Sequence, residues 1–142
     1  MKILLAVDGT VHAHDAVKYL VEHLDWYRER PTVELVFVNL PLPPLPDNAL
    51  SADQIRRYYE DAGDAALAHS KNMLRDAGVT HTAHVLVGPT AERIVYQARI
   101  TVCDLIMLGT RGLGVEGNVL LGSTATKVLY FAPMPVLVVK SR

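Results

Sequence analysis

The chain carries a single cysteine, Cys103, and no Asp or Glu beyond Glu116. One cysteine excludes an intramolecular disulfide, and its apolar neighbourhood predicts a buried, inert thiol suited to a reducing compartment. Long hydrophobic runs are also missing. The opening apolar stretch from Ile3 to Val7 is cut by Asp8, too short for a signal-peptide core and far too short to span a bilayer. Neither sign of charge dominates: Lys plus Arg is 14, Asp plus Glu is 15, and the net charge of −1 offers no footprint for nucleic acid or an anionic membrane. Internal repeats and low-complexity tails are absent. The expectation is a soluble cytoplasmic protein, without nucleic-acid binding or membrane insertion, that holds any charged ligand through a local site.

What is present is apolar and ordered. Half of the 142 residues are hydrophobic, which suits one domain over residues 1–142 with a substantial core. Ile3 to Val7 is a continuous apolar run, the pattern of a strand covered on both faces of a parallel sheet. Asp8-Gly9 ends it in a turn. Thr10 suits a helix N-cap, and Ala13, Ala16, Val17, Leu20, Val21 and Leu24 follow at helical spacing. A second strand covers Val33 to Val38, and the four prolines of PLPPLPDNAL, residues 41–50, impose an extended connection after it. Ser51 and Gln54 form a capping box for a longer helix that Gly78 terminates.

Val85 to Val87 reads as the third strand, with Thr90 the expected cap of the helix that follows. His81 and His84 flank the start of that strand and read as surface histidines, with no metal-ligand partner at suitable spacing. The fourth strand is Leu105 to Leu108. A short helix over residues 123–132 stops at Pro133, and residues 135–139 make the last strand. Strands alternating with helices predict parallel pairing through right-handed crossovers, an α/β three-layer sandwich. Ligands of such sheets bind beyond the carboxyl ends of the strands, where the strand order reverses.

The stretch GTRGLGVEGNVLLGSTATK, residues 109–127, follows the fourth strand and contains five glycines. Gly112-Leu113-Gly114-Val115-Glu116-Gly117 matches G-x-G-x-x-G formally. A dinucleotide fingerprint needs a helix opening inside the motif and, about twenty residues on, an acidic residue for the ribose. The missing carboxylates after Glu116 count against that reading. A P-loop fails because Val115-Glu116 stand where Lys and Ser or Thr are required. The spacing that fits is Gly109, two residues, Gly112, nine residues, Gly122-Ser123. The first glycines let backbone approach a ligand at the strand end. Gly122-Ser123-Thr124 opens the next helix, where free N–H groups, a hydroxyl and the positive helix end suit phosphate oxygens. The residues between become a loop over the phosphates.

With these motifs the sequence resembles a universal stress protein, of the subclass carrying Gly-x2-Gly-x9-Gly-Ser/Thr. The likeness runs through ILLAVDGT, HVLVGPTAERIV, DLIMLGTRGLG, LLGSTATKVL and APMPVLVV, and is weakest over residues 40–65. It implies a Rossmann-like, adenine nucleotide alpha hydrolase-like sheet of five parallel strands ordered 3-2-1-4-5. It implies ATP binding, with Ala6 and the backbone of Val38 beside the adenine, and Asp8 near the ribose and a phosphate-bound Mg²⁺. Gly109, Gly112, Gly122, Ser123 and Thr124 would hold phosphates and ribose. It also implies a homodimer through the last strand, Val136 to Val139, which agrees with the need to cover an apolar edge strand.

Plainer readings stand beside these. Asp8 also suits a turn ahead of the first helix. Arg111 reads equally as a phosphate contact or a solvated loop cation, and Lys127 as a solvent-facing helix residue. His12 and His14 are two apart on a helix and do not share a face. Tyr58 and Tyr59 are positioned to reach a base across the proline connection, and helix packing explains one of them as well. The leading functional expectation is an ATP-dependent stress-response regulator with an unknown protein partner. Two alternatives remain open: a slow ATP hydrolase, which lacks a residue that orients the attacking water, and a binding module for ADP, AMP or cyclic AMP.

Overall fold

The structure, a computed structural model, describes residues 1–110 and 121–140. Arg111, Gly112, Gly114, Glu116 and Gly117, and with them the expected phosphate loop, lie outside the described residues. The order of elements is β1 (Lys2–Ala6), α1 (Val11–Glu22), β2 (Thr32–Asn39), α2 (Ala52–Asp76), β3 (His81–Val87), α3 (Thr90–Ile100), β4 (Leu105–Gly109), α4 (Ser123–Phe131) and β5 (Val136–Val139). All four strand pairings are parallel, and the sheet order is β3-β2-β1-β4-β5, as the family resemblance implies.

Alternation along the strands builds two cores. Ile3, Leu5, Leu35 and Met107 face Ala16, Val17, Leu20, Leu67 and Leu74 of α1 and α2. Their sequence neighbours Leu4, Val36, Ile106 and Leu108 face Ile94, Val95, Ala98 and Val128 of α3 and α4. A parallel strand cannot return through a hairpin, so each connection crosses a face and covers it with a helix. Continuous apolar runs follow from that double coverage.

Helix starts agree with the sequence in two cases. Thr10 Oγ1 accepts the Ala13 N–H at 3.3 Å, and Ser51 and Gln54 exchange both bonds of the capping box at 3.1 and 2.8 Å. The third start differs: α3 begins at Thr90 itself, with Pro89 at the N-cap and no side-chain cap. Proline's fixed φ preforms the turn, so Thr90 is not required as an acceptor. The third strand is also longer than its apolar core. His81 and His84 lie within β3, where the Glu34 carboxylate on β2 meets His84 Nε2 and Gln97 of α3 approaches Nδ1 at 3.4 Å. That carboxylate partner is fifty positions away in sequence, so local spacing does not reveal it. Cys103 is buried, and burial pushes its thiol pKa up, as an inert thiol requires.

One glycine fixes how closely α2 approaches the sheet. A Cβ at Gly63 would lie 2.6 Å from Val85 Cγ1 and closer still to Cγ2. Val85 is β-branched and has little rotamer freedom to yield. Gly63→Ala gains about 1 kcal/mol of helix propensity, but overpacking outweighs it, for an expected net loss of about 1–2 kcal/mol. Urea unfolding reads the change, and an unaltered or raised midpoint contradicts the packing account.

Candidate functional site

The strand order reverses between β1 and β4, and a cavity of about 600 Å³ opens there beyond the strands' carboxyl ends. Its volume suits a small organic ligand, for which about 300–1,000 Å³ is usual. Ala6 and Asp8 enter from β1 and its turn, Val38 and Asn39 from β2, and Gly109 and Thr110 from the end of β4. Gly122, Ser123 and Thr124 close the opposite wall at the start of α4. The structure thus brings together Ala6, Asp8, Val38, Gly109, Gly122, Ser123 and Thr124, while Arg111 and Gly112 are outside the described residues.

Two turns shape the floor. Gly9 holds φ at +80°, and a Cβ there would meet Ala66 at 3.1 Å, so the backbone after β1 turns sharply against α2. Asp8 Oδ1 accepts from the Thr10 N–H at 2.9 Å and from its hydroxyl, so the turn-forming role is real. Among the described residues no donor meets Oδ2, and Asp8 still lines the cavity. At the far wall the Gly122 N–H donates to Thr110 O at 2.6 Å, which ties the start of α4 to the end of β4.

The helix termini divide into two kinds. α1 and α2 are capped by Thr10 and Ser51, whereas α3 and α4, whose first residues line the cavity, have no side-chain cap. α3 carries Glu92 in its first turn, which complements its own dipole. α4 has no acidic residue there, and the sequence holds none after Glu116. Among the described residues neither a side-chain cap nor a first-turn acid offsets the partial positive charge of the α4 N-terminus, roughly half a proton charge, beside the hydroxyls of Ser123 and Thr124. An anionic group is the chemical complement of that wall.

The family model of the Universal stress protein family matches residues 1–140. The chain belongs to the universal stress protein family. A universal stress protein of Thermus aquaticus, from the region 3′ of a QAH/OAS sulfhydrylase, is 33% identical over 138 residues, covering 97% of each chain. Universal stress protein MJ0531 of Methanocaldococcus jannaschii is 32% identical over 139 residues, 98% of this chain and 81% of the relative. Among solved structures, an Arabidopsis thaliana family member with AMP bound superposes with a TM-score of 0.73 at 17% identity, covering 100% of this chain and 92% of that one. A universal stress protein in complex with cAMP gives 0.71 at 18% identity, covering 100% and 98%. At these identities the structural likeness is one of fold.

Tyr58 of α2, one of the two tyrosines that the sequence brings toward the site, lines the cavity of this universal stress protein, and two further lining residues, Glu92 of α3 and Lys127 of α4, escape sequence reasoning. Each sits on a helix surface, where spacing signals only exposure. Lys127 is indeed exposed, yet it stands one turn beyond Ser123 at the cavity wall. The two tyrosines separate in role: Tyr58 faces the cavity, while the Tyr59 hydroxyl accepts the Leu42 N–H at 2.8 Å. No helix among the described residues is long and apolar enough to cross a membrane.

Beside Asp8, the His14 ring of α1 lies 4.2 Å from that of His69 on α2, tilted by 38°. Burial, then the neighbouring His69, lowers the His14 pKa from its ordinary 6.5, with Asp8 and Asp15 opposing. The folded state therefore favours neutral imidazole, and the unfolded chain takes up this proton more readily. The contribution is complete above the ordinary value and is lost as pH falls below it and through the lowered folded value. Thermal melts between about pH 7.5 and 5.5 should show a smaller drop for His14→Gln than for wild type. Equal drops would contradict this role for His14.

Proposed function

We propose that this chain binds an adenine nucleotide in the cavity between β1 and β4 and acts as a nucleotide-dependent stress-response regulator. The observation that carries the reading is the N-terminus of α4, which among the described residues has neither a side-chain cap nor a first-turn acid, lining together with Asp8 a cavity of nucleotide size. In this reading Ala6 and Val38 flank the adenine and Asp8 takes the ribose. Gly109, Gly122, Ser123 and Thr124, with Arg111 and Gly112, hold the phosphates. ATP is the first candidate, with ADP, AMP and cyclic AMP as competitors that share the adenosine. Asp8, with only Oδ1 engaged by Thr10, is the carboxylate that would hold a phosphate-bound Mg²⁺. Family members of this fold holding AMP and cAMP support an adenine nucleotide without choosing its phosphate count. The proposal includes one domain over residues 1–142, a cytoplasmic location and an unidentified regulated protein.

Thermal shifts across ATP, ADP, AMP and cyclic AMP, followed by isothermal titration, test the binding, because a ligand that prefers the native state raises its stability. Gly122→Val places a branched side chain at the cavity wall and should weaken binding at least about tenfold, or ~1.4 kcal/mol. No binding by the wild type to any of the four sinks the reading.

We also propose a homodimer through β5. It lies at the sheet edge, with Val136, Leu137 and Val138 incompletely covered, and an apolar edge strand is a template for a second chain. Sedimentation should give a dimer for wild type and a monomer for Leu137→Lys; a monomeric wild type overturns it.

A further inference from the structure

The connection after β2 is unlike any other segment of the protein. Every residue of the run LPLPPLP, residues 40–46, is either a proline or precedes one. Proline fixes its own φ near −65° and drives its predecessor into extended conformation, so the whole run is held in polyproline II geometry. The structure agrees: residues 40–46 form no helix, strand or turn, and all except Leu42 are exposed. Both ends are tied down. The Asn39 side chain donates to Tyr59 O at 3.3 Å, and after the run the Ala49 N–H donates to Pro46 O at 3.1 Å in a turn with Asn48 at φ 64°.

Polyproline II repeats every three residues, which sorts the run into ridges. Leu42 is turned toward the body and pinned through its N–H to the Tyr59 hydroxyl at 2.8 Å. The two other ridges, Leu40 with Pro43 and Pro46, and Pro41 with Pro44, are exposed along their length. Each presents prolines three apart on a strap about 20 Å long. An exposed, pre-formed and apolar ridge of this kind is a ligand surface for grooves lined by aromatic rings, and its rigidity removes most of the ordering cost of docking.

We propose that residues 40–46 are a docking strap for a partner protein domain that recognises polyproline II helices through an aromatic-lined groove. Charge narrows the partner. Residues 40–50 contain no Lys or Arg and one carboxylate, Asp47, so the groove has a neutral or basic rim rather than an acidic pocket. Leu40, at one end of the strap, also lines the cavity between β1 and β4, so a docked partner stands next to that site. The strap does not depend on what the cavity binds.

The test titrates isolated WW and SH3 domains, separately, into the isotope-labelled full-length chain and follows its amide resonances. Saturable shifts confined to Leu40, Leu42, Leu45 and Asp47, with a dissociation constant below about 1 mM for the WW domain, are expected. Pro43→Ala and Pro44→Ala each interrupt one exposed ridge, and at least one should lose about tenfold in affinity while melting at the wild-type temperature. Absence of saturable shifts with both domains, shifts centred elsewhere, or undiminished binding by both variants would overturn the proposal. If a variant melts lower, the comparison is made with Pro41→Ala or Pro46→Ala on the same ridge, and undiminished binding there has the same meaning.

Discussion

β1 is hydrogen-bonded along both edges, to β2 and β4, and its Ile3, Leu4 and Leu5 are fully buried between helices on both faces. The rest of the molecule depends on that position. Because the chain leaves β1 toward one side of the sheet and returns through β4 on the other, no crossover covers the carboxyl end of β1. Ala6, Val7 and Asp8 are left at the base of a crevice whose walls are β2, β4 and the helices that start above them. The ligand cavity is the gap that this winding leaves.

Electrostatics then differentiates the walls. Thr10 and Ser51 satisfy helix starts whose role is structural, and Glu92 balances the start of α3. Only α4, among the helices described, reaches the cavity with neither a side-chain cap nor an acid. In the absence of carboxylates after Glu116, its start stays complementary to an anion. Lys127 adds positive charge one turn further on, while Asp8 and Glu92 supply negative charge elsewhere around the cavity. The arrangement suits a ligand with an anionic end and a polar, uncharged body.

Much of this was legible in the residues. Buried strands announce themselves as continuous apolar runs, and Ser51-x-x-Gln54 specified a helix start that the structure reproduces bond for bond. The glycine spacing pointed to the N-terminus of α4, and the sheet order followed from family resemblance. What stayed hidden depends on contacts made far away in sequence. His81 and His84 sit in a strand that reads as polar because Glu34 and Gln97 partner His84 from neighbouring elements. Glu92 and Lys127 line the cavity through helix placement, which no local pattern encodes. Tyr58 and Tyr59, adjacent and chemically alike, take different tasks only because α2 turns one to the cavity and the other to the proline strap.

The most direct test is a crystal structure of the protein grown with whichever of ATP, ADP, AMP and cyclic AMP raises its melting temperature most, at saturating concentration. The account predicts the adenine between Ala6 and Val38, the ribose beside Asp8 and the phosphate at Ser123 and Thr124. Nucleotide density elsewhere on the molecule, or an empty cavity between β1 and β4 at saturation, would contradict it.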